Sequence, residues 1–195
     1  MRTFISLTLL FSVLTMAAQD NSEKDLPYYE IPDYPETFTA GTVAARLVDG
    51  LGFRYYWATE GLREEDLSYK PSPEGRTTGE TIDHIYGLSK VIVNSTLNKP
   101  NTRAEEPEMG FDEKRKQTLI NIKTAADILR TSDNLTQFNI VFQRDNSTSE
   151  FPFWNNLNGP IADALWHCGQ VVLLRRASGN PYNSKASVFT GKVRE

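Results

Sequence analysis

The sequence predicts an all-α protein: a four-helix bundle with a short β-hairpin or irregular loop before its last helix. Three observations carry this. Four stretches repeat apolar residues every three to four positions, the period of a helix with one buried face. Residues that start and stop helices flank those stretches. One segment, within residues 136–153, alternates with period two instead. Each helix supplies an apolar stripe, so the four can bury a shared core without a cofactor. Two successive linkers of more than ten residues argue against the simplest up-down topology and predict at least one crossover.

The first helix is expected from about Thr39 to Glu60. Ala44, Leu47, Val48, Leu51, Tyr55 and Ala58 share one face, and Gly61 is a natural stop. Gly41, Gly50 and Gly52 lower its propensity but permit close helix contact. Pro71, Pro73 and Gly75 make a loop before the second helix. Thr77 and Glu80 have capping-box spacing, in which each side chain satisfies the other's free backbone N–H. Ile82, Ile85, Leu88, Val91 and Ile92 mark the buried face, and the helix should end near Thr96, before Pro100. A polar linker from Asn98 to Gly110 leads to the third helix, capped by Asp112 and running to Arg130, with Leu119, Ile122, Ala126 and Leu129 as its stripe.

Phe138, Ile140 and Phe142 then alternate as in a strand. Asp145-Asn146-Ser147 suits a turn, and Ser149 to Phe153 can pair back. Val141 breaks the alternation, so a long irregular loop is the competing reading. The fourth helix is expected from Pro160, whose missing N–H costs nothing at a first helical position, to about Ala177. Ile161, Leu165, Cys168 and Val172 form its stripe, and Ala164 and Val171 widen it. Leu173 and Leu174 add apolar surface, while Arg175 and Arg176 suit the helix dipole.

The chain has 195 residues, 39% hydrophobic and 24% charged, which suits one globular domain. Its net charge of -4 provides no basic field for a phosphate backbone, so no nucleic-acid partner is expected. Met1 and Arg2 precede an uncharged run from Thr3 to Gln19, closed by Ala17 and Ala18, the pattern of a secretory signal peptide cleaved after one of those alanines. The run is shorter than a comfortable span of ~20 residues, so no stable membrane span is expected after cleavage. The protein is therefore expected to be exported, periplasmic or secreted. The expected organisation is a signal peptide over residues 1–18, an extended arm over 19–38, the helical domain over 39–180 and a tail over 181–195. Pro27, Pro32 and Pro35 forbid a regular helix in the arm, and Tyr28, Tyr29, Ile31 and Tyr34 should lay it on the domain.

One cysteine, Cys168, excludes an intrachain disulfide or a cysteine-rich metal site, and two histidines, His84 and His167, exclude a three-histidine site within one chain. The strongest chemical feature is Asp163-Ala164-Leu165-Trp166-His167. Asp163 and His167 stand one helical turn apart, where a carboxylate and an imidazole can ligate one divalent ion. His84 lies beside the apolar stripe of the second helix. If helices two and four are neighbours, it completes a two-histidine, one-carboxylate set with open positions. The spacing is also that of a plain helix-surface or buried hydrogen bond.

Trp57 and Thr59 on helix one, the loop Pro73-Glu74-Gly75-Arg76-Thr77-Thr78-Gly79-Glu80 and the following Ile82-Asp83-His84-Ile85 resemble the first half of the DinB-like (DinB/YfiT-like) metalloenzyme superfamily. The run from Asn158 to Gln170 resembles that family's late helix more closely. The resemblance spans most of residues 39–180. It implies a four-helix bundle of up-down-down-up order with a crossover, a homodimer in many members, and a metal site. His84 matches the family's first metal histidine and His167 its last, while Asp163 stands where the middle histidine would be. The carboxylate makes the site harder and more anionic, so zinc, nickel, iron and manganese can each be argued. The implied activity is metal-dependent hydrolysis or thiol-dependent group transfer on a small-molecule substrate, and export weighs against the thiol chemistry. The alternative is a non-catalytic exported binding or stress-associated bundle.

Around these ligands, Trp57 and Trp166 are candidate pocket walls, although aromatics at helical positions are more often core. Gln170 is a candidate hydrogen-bond partner of the site. Glu60 and Asp83 are conceivable general bases whose default role is surface charge, and Arg76 and Arg176 could meet an anionic substrate. Cys168 points about 100° away from His167 and is read as core.

Overall fold

A computed structural model describes residues 26–103 and 107–195; the expected signal peptide and the start of the arm lie outside the described residues. The elements are α1 (Ala40–Thr59), α2 (Glu64–Ser68), α3 (Thr78–Thr96), α4 (Phe111–Arg130), β1 (Ile140–Arg144), β2 (Ser147–Phe151), α5 (Phe153–Asn156), a π turn (Leu157–Ile161), α6 (Ala162–Ala177), β3 (Ala186–Ser187) and β4 (Lys192–Val193).

The four long helices are α1, α3, α4 and α6. Helices α1 and α3 each pack against both α4 and α6, so α1 and α3 lie diagonally across the bundle. Side-chain contacts fix the directions. Arg115, early in α4, donates to Thr59 at the end of α1, while Gly41 meets the last turn of α4, so these helices are antiparallel. Lys114 pairs with Asp83, and Asn121 donates to Ser89, so α3 and α4 run parallel. Arg175 ends α6 where α1 ends. The order is up-down-down-up, and the Leu97–Gly110 segment is the crossover. Within it, the Asn101 backbone pairs with Val141 and Gln143 of β1.

Local sequence explains most boundaries. Thr39 and Thr77 cap α1 and α3, and the Thr77–Glu80 capping box forms as expected. Gly61 stops α1 in the left-handed region at φ 64°. Helix α4 starts two residues earlier than expected, with Gly110 at its cap; Asp112 instead sits in the first turn, where its charge still suits the dipole. The hairpin forms in the register Arg144↔Ser147 to Ile140↔Phe151, closed by Asp145-Asn146. The last helix differs most. The chain is already helical at Phe153, widens through the π turn, and breaks at Gly159 (φ −98°, ψ −107°) before Pro160 restarts it.

The core contains Val48, Leu51, Phe53, Tyr55, Ile82, Ile85, Ile92, Leu119, Ile122, Leu129, Ile161 and Val171. Leu47, expected inside, is 40% exposed. The opposite flank of α1 is covered instead by the arm: the Tyr28 ring lies on Gly52, where a Cβ would come within 2.4 Å of it. The Tyr28 hydroxyl donates to Asp49, which also receives Arg130. The last residues hold the arm in place, since Ile31 N–H donates to Gly191 and Val193 N–H to Glu30. Among the described residues, no helix is long and apolar enough to cross a membrane.

Two charged groups lock the end of α1. The buried Arg175 donates to the carbonyls of Trp57 and Ala58, which the helix itself leaves open. The fully buried Asp66 of α2 accepts from the Arg63 backbone and guanidinium, Ser178 and Asn180, joining α2 to the end of α6. The Arg63 hydrogen bonds above all hold its carboxyl well below the usual range. A depressed folded pKa stabilises the protein fully above the unfolded value near ~4 and loses that effect as pH falls. Asp66→Asn is therefore expected to cost about 2–3 kcal/mol at pH 7. Urea denaturation of both proteins should show the gap narrowing at acid pH.

Candidate metal centre

The antiparallel pairing of α3 and α6 builds the site. His84 stands in the second turn of α3, and Asp163 and His167 in the first turns of α6. The Gly159 break and Pro160 set where α6 begins, and so which face carries Asp163 and His167. These side chains, 79 or more positions apart from His84, converge as the two-histidine, one-carboxylate set expected from the sequence.

Asp163 lies between the two imidazoles. Its Oδ2 is 3.2 Å from His84 Nε2, and its Oδ1 is 3.3 Å from His167 Nε2. The rings meet edge to face with centroids 4.7 Å apart. All three ligand atoms lie within 4.8 Å of one another. Bonds of about 2.0–2.1 Å to a tetrahedral ion place neighbouring donors roughly 3.3 Å apart, and each histidine already stands at that distance from one of the two carboxylate oxygens. The residues are half-buried, which leaves room for further ligands.

Gln170 sharpens the donor set. His167 Nδ1 is 2.7 Å from Gln170 Oε1. With its oxygen facing the ring, the Gln170 carboxamide accepts from Nδ1–H. In the neutral ring, Nε2 then presents its lone pair to a carboxylate oxygen. Nε2 stands 3.3 Å from Asp163 Oδ1, close enough for one cation to be held between them. The two ring nitrogens and the carboxylate are donors that fit a divalent cation. Gln170, expected as a hydrogen-bond partner of the site, orients His167 through this contact. Gln170→Leu is expected to weaken ion binding by about 10–100-fold, measured by competition with a chelator.

A solvent-open cleft of about 610 Å³ adjoins the centre. His167 and Gln170 form part of its wall, and Tyr69, Pro71, Leu173 and Leu174 form much of the rest. Arg76 and Thr81 also line it. Tyr69, Pro71 and Thr81 carried no chemical signal in the sequence, because only the tertiary fold brings the loop before α3 to the end of α6.

The remaining candidates lie elsewhere. Trp57 is buried in an aromatic cluster with Tyr29, Phe53 and Tyr56, and its indole N–H donates to the Tyr29 carbonyl. Glu60 pairs with the buried Arg115. Asp83 pairs with Lys114 at 2.7 Å. Trp166 is 71% exposed on α6. Arg176 is exposed in the last turn of α6 and does not line the cleft. Cys168 is buried, and burial pushes its thiol up to about 12, so it is no thiolate nucleophile at neutral pH.

Comparison of the chain with protein-family models, curated proteins and solved structures finds no match. The functional reading therefore rests on the geometry of His84, Asp163 and His167.

Proposed function

We propose that this chain is a divalent-metal-dependent enzyme of the DinB-like kind, exported from the cytoplasm, acting by hydrolysis or thiol-dependent group transfer on a small molecule. One observation carries the proposal: two helices bring both histidines and Asp163 to one point, beside an open cleft. The motif around His84 and the run from Asn158 to Gln170 support the family reading, as does the up-down-down-up order of the helices.

His84, Asp163 and His167 would hold the ion. When bound, the ion supplies Lewis acidity, lowering the pKa of a ligating water or thiol. Asp163 offsets cation charge, Gln170 fixes the His167 tautomer, and the cleft positions the substrate against the open side. Activity is tested by reconstituting metal-free protein with zinc, nickel, iron(II) or manganese, then assaying ester and amide hydrolysis and thiol addition to electrophiles. The expected result is turnover that requires the ion and is lost in Asp163→Asn.

One feature favours the non-catalytic alternative. With the Gln170 carboxamide turned over, it donates to His167 Nδ1, both histidines donate to Asp163 from Nε2, and the network closes without an ion. Failure of the protein to take up metal on reconstitution would select that reading.

A further inference from the structure

The cleft beside His167 has a character that the metal centre does not require. Pro71, Leu173, Leu174 and Ala177 give it a mainly apolar wall, and Leu173 is 64% exposed there. Its volume of about 610 Å³ suits one small molecule. No carboxylate lines it, and its one full positive charge is Arg76. Among the described residues, Arg76 makes no hydrogen bond or ion pair. Glu80, whose carboxylate feels the Arg76 charge, is committed to the α3 capping box, where it accepts from Thr77 N–H at 2.7 Å. An unpaired guanidinium at the edge of an open apolar cleft is a ready anchor for an anion, with two parallel N–H groups matched to a carboxylate.

We infer that the cleft takes an amphipathic monocarboxylate, with its charge on Arg76 and its apolar body along Leu173 and Leu174. This assigns a substrate class to the metal-dependent enzyme proposed above and rests on that reading for its chemistry. Binding itself uses residues outside the ligand set. The apolar contact supplies affinity through buried area, and Arg76 selects the sign of the charge. A carboxylate held there keeps the rest of the molecule beside His167 and the open side of the ion site.

Octanoate and octylammonium, equal in chain length and opposite in charge, are the probes. Isothermal titration calorimetry is run on metal-free and ion-loaded protein, with Arg76→Gln and Leu173→Ser as variants; both positions are exposed, so the fold should survive. The expected result is saturable octanoate binding to both forms, weakened about tenfold or more by Arg76→Gln and weakened again by Leu173→Ser. Octylammonium should bind at least tenfold more weakly than octanoate. The inference is overturned if octanoate does not bind, if octylammonium binds as well, or if Arg76→Gln leaves binding unchanged. Ion content measured on the same samples separates the two readings: octanoate binding by protein that takes up no metal contradicts the metal centre and leaves the carboxylate site standing.

Discussion

Replacing His167 with alanine is expected to lower affinity for a divalent ion by more than about a hundredfold, because partners of ligands alone are commonly worth ~10–100-fold. The ring supplies one of three protein donors, and its Nδ1 contact with Gln170 at 2.7 Å pre-orients it. The metal-free fold should survive. The His167 side chain is 14% exposed, and truncation removes its ring contact with His84 and a hydrogen bond worth about 0.5–1.5 kcal/mol. Thermal melts separate the two effects. At an ion concentration 100 times the dissociation constant, wild type should gain about 2.7 kcal/mol, a rise of several degrees in Tm. The variant should gain nothing at that concentration. A variant that melts well below metal-free wild type would instead assign His167 to the core.

Gly41→Ala is expected to destabilise the bundle by about 2 kcal/mol or more, although alanine is favoured over glycine within a helix by about 1 kcal/mol. A Cβ at Gly41 would lie 2.2 Å from the Ser132 carbonyl oxygen and 2.4 Å from that of Leu129. Both are backbone atoms at the end of α4, so relief requires moving one helix against the other. Gly87 of α3 provides the control, since a Cβ there would meet nothing within 4 Å. Gly87→Ala should stabilise by about 1 kcal/mol through propensity alone. Opposite signs in urea denaturation would establish that the α1–α4 approach, and not helix propensity, sets the cost at Gly41.

These two sites show what the sequence made legible. The Thr77–Glu80 box and the stripe Leu119, Ile122, Ala126 and Leu129 are local signals, and each appears in the structure where it was expected. Asp163 and His167 share a helix, so their proximity followed from spacing alone. His84 was harder: its partnership depended on α3 and α6 being neighbours, which a crossover decides. Contacts made by the arm were illegible for the same reason. Helix periodicity in α1 said nothing of Tyr28 covering Gly52, or of Tyr29 taking the indole N–H of Trp57, which puts that tryptophan in the core. Helix α2 is five residues long, too short for periodicity, so nothing in the sequence signalled the buried Asp66 that anchors it to α6. The last helix was expected to begin at Pro160; the helical turns from Phe153 to the Gly159 break were illegible because a π turn has no distinctive composition.

The most direct test of the metal centre is ion content. The protein is purified without a histidine tag, reconstituted with a divalent metal, desalted and measured by inductively coupled plasma mass spectrometry beside His84→Ala. The geometry predicts about one equivalent in wild type and a large loss in the variant, because His84 reaches the site from the opposite helix. A wild-type chain that retains no ion, or a variant that retains as much, would contradict the assignment of His84, Asp163 and His167 as a metal centre.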